Sequence, residues 1–534
     1  GEALTGDRCH LSHHPEEANV AYFYGESRHE PVNVSFRANL ATGELTELYR
    51  SMYGGAALAG DAANRRVVLN EGYTVGDNVL MLWTEGGEGP RVLYGKPLAE
   101  RAPGEEAPLT SFGATEFSPS GDSLLLTTSL FEDTYGLAAI RPDTPHEIAR
   151  VEVRGVVHTG AGEMENLVHL RGDRYAVQYN IDGCTWLYEG RFDEAALTME
   201  LGAVICGRDE LAGGVMDGFN YDKAADRFVL SFSTATSPTQ IYTVEGPRRD
   251  QVRRHTRERV LGLPAERLSP GEDASFVSQD GLRVSARLYL PPPALGYTGP
   301  RPLVYYVHGG PQGQERPDFA WFSMPLIQFL ALNGFAVFVP NVRGSTGYGL
   351  SYTKHVDRDW GGQDRLDHVH AMKLLADDPR VDASRAAVIG RSYGGYMTLT
   401  LAARHPELWA AAVDMFGPYD LLTFIDRLPE TWKPYFAIAC GDPVEDRDFL
   451  VERSPRSYIT AIQCPLLVIQ GRNDPRVIER ESRDVVEQLR ALGKEVDYLM
   501  FADEGHDVLK YENRVTCYNT ITDFFRQHLM PATG

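Results

Sequence analysis

The spacing of apolar residues changes near residue 265 and divides the chain into two regions. Before that point, short apolar runs are separated by clusters of Gly, Asp, Asn and Pro, and long helical periodicity is lacking. After it, continuous apolar runs alternate with amphipathic helical patterns. Short, evenly spaced strands indicate an all-β domain, whereas strand–helix alternation indicates a parallel sheet covered by helices. We therefore expect two domains, residues 1–265 and 266–534.

Residues 1–265 contain a loose repeat with a period of about fifty residues, the range of propeller blades. Each unit starts with a small turn cluster, of which residues 117–122 are the clearest, and continues into a short apolar strand. The units begin near residues 11, 59, 116, 170 and 219. We predict a β-propeller in which about five blades can be counted and the total is left open to more, with a β-sandwich pair or another irregular β domain as the alternative.

Residues 390–394 read Gly-Arg-Ser-Tyr-Gly and fit the pattern G-x-S-x-G. They lie between a predicted strand over residues 386–389 and a predicted helix that begins near Tyr396, which is the context of a nucleophile turn. The glycines allow a tight turn that raises the Ser392 hydroxyl above the sheet at a helix N-terminus, where the helix dipole favours negative charge. Ser392 is therefore the candidate nucleophile.

Asp474 and His506 follow two later predicted strands, in the chain order Ser, Asp, His. The loops after parallel strands meet at one edge of a sheet, and a serine hydroxyl needs a base and a group that orients the base. We predict Ser392 as nucleophile, His506 as general base and then acid, and Asp474 as the orienting carboxylate. Three acidic rivals lie too near His506 in sequence to face its ring easily: Asp503, Glu504 and Asp507.

An oxyanion hole needs two backbone N–H donors. One is predicted to be the N–H of Tyr393, the residue after the nucleophile. The other is expected in the His-Gly-Gly-Pro loop at residues 308–311, directly after an apolar strand, with Gly310 favoured and Gly309 as the alternative. His308 is interpreted as structural, because the reaction needs one base.

These motifs together resemble the prolyl oligopeptidase family of serine peptidases, in particular its acylaminoacyl-peptidase-like branch. The resemblance covers about half of the chain, roughly residues 270–530. It is carried by residues 308–311 (HGGP), 341–349 (NVRGSTGYG), 359–362 (DWGG), 390–397 (GRSYGGYM), 470–474 (QGRND) and 505–506 (GH). It implies an α/β-hydrolase domain preceded by a β-propeller, which agrees with the repeat.

The resemblance implies hydrolysis of peptides or acyl-peptides that are too short to be folded, because the propeller would restrict access to a cavity between the domains. An esterase, a thioesterase, or an amide-hydrolysing or acyl-transfer enzyme of a biosynthetic pathway would use the same triad, and the sequence does not separate these activities. A non-catalytic scaffold that binds partners through its propeller is a third hypothesis, which the intact triad disfavours.

The segment over residues 416–436 is rich in aromatic side chains. We expect Phe416, Tyr419 and Trp432 to line an apolar pocket for the residue before the scissile bond, with ordinary core packing as the alternative. Arg391, beside the nucleophile, is expected to meet a carboxylate or carbonyl of the substrate, with a structural salt bridge as the alternative.

Composition disfavours several other functions. The chain has 52 Lys and Arg against 74 Asp and Glu, a net charge of −22, which opposes binding to nucleic acid and to anionic membranes. No run of 18 apolar residues occurs, and motifs for metals and nucleotides are missing, so we expect no membrane span, metal or cofactor. Six cysteines without a CxxC pair and the lack of a visible leader favour a cytoplasmic location. A homo-oligomer is left open.

Overall fold

The computed structural model describes residues 8–13, 19–26, 30–260, 262–319 and 322–530. Over these residues, the amino-terminal strands form five units, each made of four strands that follow one another in the chain. Their bounds are, for β1–β4, Arg8–His13, Val20–Glu26, Asn33–Asn39 and Leu45–Ser51; for β5–β8, Ala56–Gly60, Arg66–Thr74, Asp77–Thr84 and Arg91–Tyr94; for β9–β12, Thr115–Phe117, Leu124–Thr128, Gly136–Ile140 and Ile148–Arg154; for β13–β16, Gly162–Arg171, Arg174–Ile181, Cys184–Asp193 and Thr198–Cys206; and for β17–β20, Val215–Asp222, Arg227–Thr234, Ser237–Glu245 and Gln251–Arg254.

Each unit is an antiparallel meander, the form of a propeller blade. The five apolar runs predicted after the turn clusters fall on the second strand of each blade, namely β2, β6, β10, β14 and β18. These strands carry much of the blade cores, and all five residues of β10 are buried. The third and fourth blades are also joined by parallel pairing of β12 with β16.

The carboxy-terminal region alternates strands and helices. The strands are β21 (Glu272–Asp273), β22 (Phe276–Val277), β23 (Arg283–Tyr289), β24 (Arg301–Val307), β25 (Ala336–Asn341), β26 (Val381–Arg391), β27 (Ala411–Met415), β28 (Leu466–Gly471) and β29 (Val496–Phe501). The helices are α1 (Ser323–Leu332), α2 (Leu350–Lys354), α3 (Gln363–Leu375), α4 (Tyr393–Arg404), α5 (Leu421–Asp426), α6 (Lys433–Ala439), α7 (Arg447–Arg453), α8 (Glu479–Ala491) and α9 (Tyr511–Leu529). The predicted boundary at residue 265 lies between β20 and β21.

The carboxy-terminal strands form one sheet in the order β21-β23-β25-β24-β26-β27-β28-β29, with β22 paired to β23. β23 is antiparallel to β25, and the strands from β25 to β29 in this order run parallel. The two faces of the sheet have separate cores. Leu303 and Tyr305 of β24 pack on the side of α3, α4 and α8, whereas Val304 and Tyr306 pack on the side of α1 and α9. Burial on both faces explains why these strands read as continuous apolar runs.

The two regions meet at the turn between β14 and β15. Arg283 bonds the Asp182 carboxylate at 2.9 Å, and Arg316 donates to the Gly183 carbonyl at 2.9 Å. Asn180 of β14 donates to the Gln314 side chain at 2.6 Å. The fourth blade is therefore bonded directly to the loop that follows β24.

Candidate active site

Ser392 occupies a sharp turn between β26 and α4, with φ 59° and ψ −120°. A non-glycine residue rarely adopts a positive φ, and such strained residues cluster at functional sites. The two motif glycines allow the turn. A Cβ on Gly390 would lie 2.2 Å from the Gly394 oxygen, and a Cβ on Gly394 would lie 2.1 Å from the Val307 oxygen. Side chains at either position would push α4 away from the sheet edge.

The predicted triad residues lie within hydrogen-bond distance of one another. Ser392 Oγ is 2.9 Å from His506 Nε2, and His506 Nδ1 is 2.6 Å from Asp474 Oδ2. The Asp474 side chain is fully buried, and its other oxygen accepts the N–H groups of Arg476 and Val477 at 2.8 and 3.0 Å. The carboxylate is therefore held in one orientation before it meets the imidazole.

The three acidic rivals of Asp474 each have other partners. Asp503 bonds Lys510 and Asn513, and Glu504 accepts backbone N–H groups at the start of α9. Asp507 forms an ion pair with Arg391 at 2.8 Å.

The glycine loop after β24 passes directly beside the nucleophile. A Cβ on Gly309 would lie 2.9 Å from the Arg391 oxygen and 3.5 Å from Ser392 Cβ, so the close approach requires glycine there. Gly310 has φ +133°, which favours glycine as well. His308 is buried and bonds Ser345 Oγ at 2.9 Å, and burial lowers its pKa. His308 is therefore a buried residue whose neutral form is favoured.

Tyr393 is the first residue of α4 and follows the nucleophile. Its hydroxyl donates to Asp364, and its ring meets the Trp360 ring edge-on with centroids 4.8 Å apart. These contacts fix the side chain, and with it the peptide unit that carries the Tyr393 N–H.

A cavity of about 390 Å³ opens over these groups, and it includes Ser392, His506, Gly309 and Gly310 in its lining. Five charged side chains also line it: Glu315, Arg316, Asp318, Arg391 and Arg476. Sequence reasoning missed four of them and found Arg391. Arg476 could have been predicted to line the cavity from its position two residues after Asp474, because the loop that carries the orienting carboxylate also borders the cavity.

Of the four residues predicted for substrate binding, Arg391 lines this cavity, whereas Phe416, Tyr419 and Trp432 are not in its lining. Arg391 lines it but is ion-paired with Asp507, the structural alternative. Phe416 is fully buried, with its ring centroid 5.8 Å from that of His506. Tyr419 is buried in the core and its hydroxyl donates to Gln488, whereas Trp432 is partly exposed beneath the Arg476 guanidinium, which lies 5.6 Å from the ring centroid.

Glu315, in the cavity lining, has a raised pKa. Burial raises its pKa to about 8, and the neighbouring Asp318 carboxylate adds to the effect. The Ser323 hydroxyl donates to its carboxylate, which opposes the shift. Glu315 therefore carries a proton at neutral pH.

Metal and membrane features are lacking in the part of the chain that the structure describes. Within the ranges given above, no group of three or more His, Cys, Asp or Glu side chains could hold a metal ion. No described helix is both long and apolar enough to cross a membrane. Five cysteines are described as free thiols, and Cys9 is not among the side chains described.

Comparison with curated proteins finds peptidases. The chain is 32% identical over 309 residues to the dipeptidyl aminopeptidase BIII of Pseudoxanthomonas mexicana, which covers 56% of this chain and 44% of that protein. It is 27% identical over 237 residues to the acylamino-acid-releasing enzyme of Rattus norvegicus, which covers 43% of this chain and 31% of that enzyme. The aligned part thus spans less than half the length of these relatives.

Solved structures resemble the whole chain. A puromycin-hydrolyzing peptidase of Mycobacterium tuberculosis superimposes with a TM-score of 0.78 at 20% identity, over 98% of this chain and 80% of that one. An acylaminoacyl peptidase of Pyrococcus horikoshii gives 0.70 at 19% identity, over 96% of this chain and 80% of that one. At such identities the likeness concerns the fold, and it confirms the predicted β-propeller with an α/β-hydrolase domain.

The resemblance found in the sequence motifs is confirmed by the family comparison. Residues 320–531 match the family model of the prolyl oligopeptidase family. They include the nucleophile turn and the loops that carry Asp474 and His506. Over this carboxy-terminal region, the chain is therefore similar to the prolyl oligopeptidase family.

Proposed function

We propose that this protein is a serine peptidase that hydrolyses short peptides or acyl-peptides. The observation that carries the proposal is the hydrogen-bonded series Ser392–His506–Asp474, open to a cavity beside a glycine loop. Similarity to this family and the peptidase names of the relatives favour peptide bonds over esters.

In the proposed acylation step, Ser392 Oγ attacks the scissile carbonyl while His506 Nε2 takes its proton. Asp474 accepts the hydrogen bond from Nδ1–H and stabilises the imidazolium that forms. His506 then donates the proton to the leaving amine, which departs and leaves an acyl-enzyme on Ser392. Water, activated by the same imidazole, hydrolyses this ester and restores the free serine.

The oxyanion of each tetrahedral intermediate is proposed to accept two backbone N–H groups. One belongs to Tyr393, whose peptide unit is fixed by the contacts with Asp364 and Trp360. The second belongs to Gly310, with Gly309 as the alternative, and both glycines line the cavity. Backbone donors of this kind cost no reorganisation during the reaction, because they are already oriented.

The charged and aromatic walls suggest how a peptide is held. Arg476 is an exposed cation stacked on Trp432, and we propose that it donates hydrogen bonds to oxygen atoms of the substrate. Arg391 would also donate hydrogen bonds to the substrate while it keeps its ion pair with Asp507. Phe416 packs against the His506 ring and would orient it, and Tyr419 would support this wall from within the core.

We also propose that the propeller restricts substrate size. The loop after β24 borders the cavity and is bonded to the fourth blade through Gln314 and Arg316. The same loop meets the fifth blade, where the Phe319 N–H donates to Ser233 Oγ at 3.3 Å. A folded protein would have to separate these contacts to reach Ser392, whereas a short peptide would not.

A substrate panel tests the proposal. Peptide anilides with free and with blocked amino termini are compared with p-nitrophenyl esters, and a folded protein is included as a size control. We expect turnover of short peptides and little cleavage of the folded protein, with activity lost in Ser392→Ala. Turnover of esters alone would contradict the peptidase assignment.

A further inference from the structure

A second cavity, of about 470 Å³, lies between the third and fourth blades, outside the catalytic cavity. Its walls come from β12, from the β12–β13 connection, from β13 and β14, and from Tyr348 of the carboxy-terminal region. Gln314, which lines the catalytic cavity, donates to the Tyr348 hydroxyl at 2.9 Å. One hydrogen-bonded pair of side chains therefore joins the linings of the two cavities.

Part of the lining of this second cavity is apolar and aromatic. Val153, Val156, Met164, Tyr179 and Ile181 all contribute to its lining. The Tyr179 ring lies 4.6 Å from the ring of His158, which also lines the cavity. Burial lowers the pKa of His158, so this wall is uncharged at neutral pH.

The loop over residues 156–158, at the mouth of this cavity, is held in place by hydrogen bonds to Tyr188. The Tyr188 hydroxyl accepts the backbone N–H groups of Val157 and His158 at 3.4 and 3.1 Å, and it lies 2.8 Å from His158 Nδ1. Val156, on the same loop, remains 42% exposed although it is apolar. Covering a water-exposed apolar surface with a ligand lowers the free energy of the complex. Because this loop is already ordered, binding costs little conformational entropy.

The charged groups of the lining have partners in the protein. Glu132 and Arg150 form an ion pair at 3.0 Å, and the Glu163 carboxylate accepts the Gly349 N–H at 2.7 Å. Glu152 pairs with Arg154 at 2.6 Å. Because these charged groups are bonded within the protein, the apolar part of the lining is the part left to contact an uncharged, apolar group.

We propose that the cleft between the third and fourth blades is an accessory substrate site that binds a large apolar side chain, aromatic or aliphatic, of a peptide whose scissile bond lies at Ser392. This inference rests on the proposed function. The shared Gln314–Tyr348 wall makes the occupant a distal residue of the same peptide. The site would give longer peptides with such a residue an advantage that the shortest substrates lack.

Two peptide series test the site. They keep the cleaved bond constant and place Phe or Gly at successive positions, extended in one series towards the amino terminus and in the other towards the carboxyl terminus. At one distal position, we expect kcat/KM for the peptide with Phe to exceed that for the peptide with Gly about tenfold. Burial of an aromatic ring contributes a free energy of this order.

Val156→Asp should abolish this preference by placing a carboxylate in the mouth of the cleft. Val157→Asp is the matched control, because Val157 is 49% exposed, adjoins Val156 and is not among the residues that line the cavity. The ratio of Phe to Gly is measured within each variant, so a general loss of activity cancels. No preference at any position, or equal preference in both variants, would overturn the proposal.

Binding to the Ser392→Ala protein separates this site from the proposed function. Calorimetry with the same peptides measures affinity without turnover. If the active protein cleaves no peptide while Val156-dependent binding persists, the proposed function fails and the site stands. If peptides are cleaved without a Val156-dependent preference, the function stands and the site fails.

Discussion

The guanidinium of Arg391 lies 2.8 Å from the Asp507 carboxylate, so the residues adjacent to the nucleophile and to the base are bonded to each other. Both side chains are less than one-fifth exposed. This ion pair links the end of β26 to the loop after β29. It therefore supports the geometry in which Ser392 and His506 meet.

Breaking this link should lower activity. Arg391→Met and Asp507→Asn are each expected to reduce kcat/KM about tenfold, because small displacements of aligned catalytic groups are costly. The double variant should lose little more than either single variant, which corresponds to a coupling energy of about 1 kcal/mol. Kinetics of the three variants measure this coupling, and strictly additive losses would show that the pair does not act as a unit.

The orienting role of Asp474 can be tested against one of its acidic rivals, Asp503. Asp474→Asn should lower kcat by roughly 10³–10⁴, since the amide disfavours the required imidazole tautomer, with a much smaller change in KM. Asp503→Asn is the control, because Asp503 bonds Lys510 on the surface. A large kcat loss in the control, with activity retained in Asp474→Asn, would reverse the assignment.

The close approach of α4 to β24 makes Gly394 intolerant of a side chain. Gly394→Ala would place a Cβ 2.1 Å from the Val307 oxygen. We expect destabilisation of about 3 kcal/mol, measured by denaturant unfolding, and loss of activity. Gly218→Ala is the control, because a Cβ there meets nothing within 4 Å. Equal stability of the two variants would contradict the tight packing.

Asp414, buried in β27, makes stability depend on pH. Burial raises its pKa from 3.8 to about 8, and one oxygen accepts the Gly417 N–H at 3.0 Å. Between these two pH values the folded state keeps a proton that the unfolded state has lost, so stability falls as pH rises, by up to about 1.4 kcal/mol per pH unit. Above pH 8 the slope from this group disappears.

With Asp414→Asn, the free energy of unfolding should therefore decrease less steeply between pH 5 and pH 8. Denaturant unfolding at four pH values in this window measures the slope for both proteins. The exposed substitution Asp503→Asn should leave the slope in this window unchanged. An unchanged slope in Asp414→Asn would show that this carboxyl titrates normally.

The sequence predicted those parts of the fold and site that depend on local patterns. The triad was readable because a strand–turn–helix motif surrounds Ser392 and because Asp474 and His506 each follow a buried strand. The second strand of each blade was readable from the turn before it. By contrast, β20 is exposed throughout, so it has no apolar pattern that marks it. The short helix α5 and the start of α6 lie in the segment over residues 416–436, which we read only as aromatic-rich.

The cavity wall could not be predicted because its properties arise from contacts distant in sequence. Glu315 is protonated at neutral pH because the fold buries it near Asp318, and no local motif marks that burial. The aromatic residues at 416–436 share one composition but occupy different environments. Tyr419 faces the core and Trp432 lies under Arg476, a distinction set by how α5 and α6 pack.

The central claim is that Ser392 is an activated nucleophile of a peptide hydrolase. A fluorophosphonate probe, followed by intact mass measurement and peptide mapping, tests this most directly when peptide hydrolysis is measured on the same samples. We predict one label per chain, located on Ser392, with parallel loss of peptide hydrolysis and no labelling of Ser392→Ala. Folded protein that remains unlabelled, or label that persists in Ser392→Ala, would contradict the account.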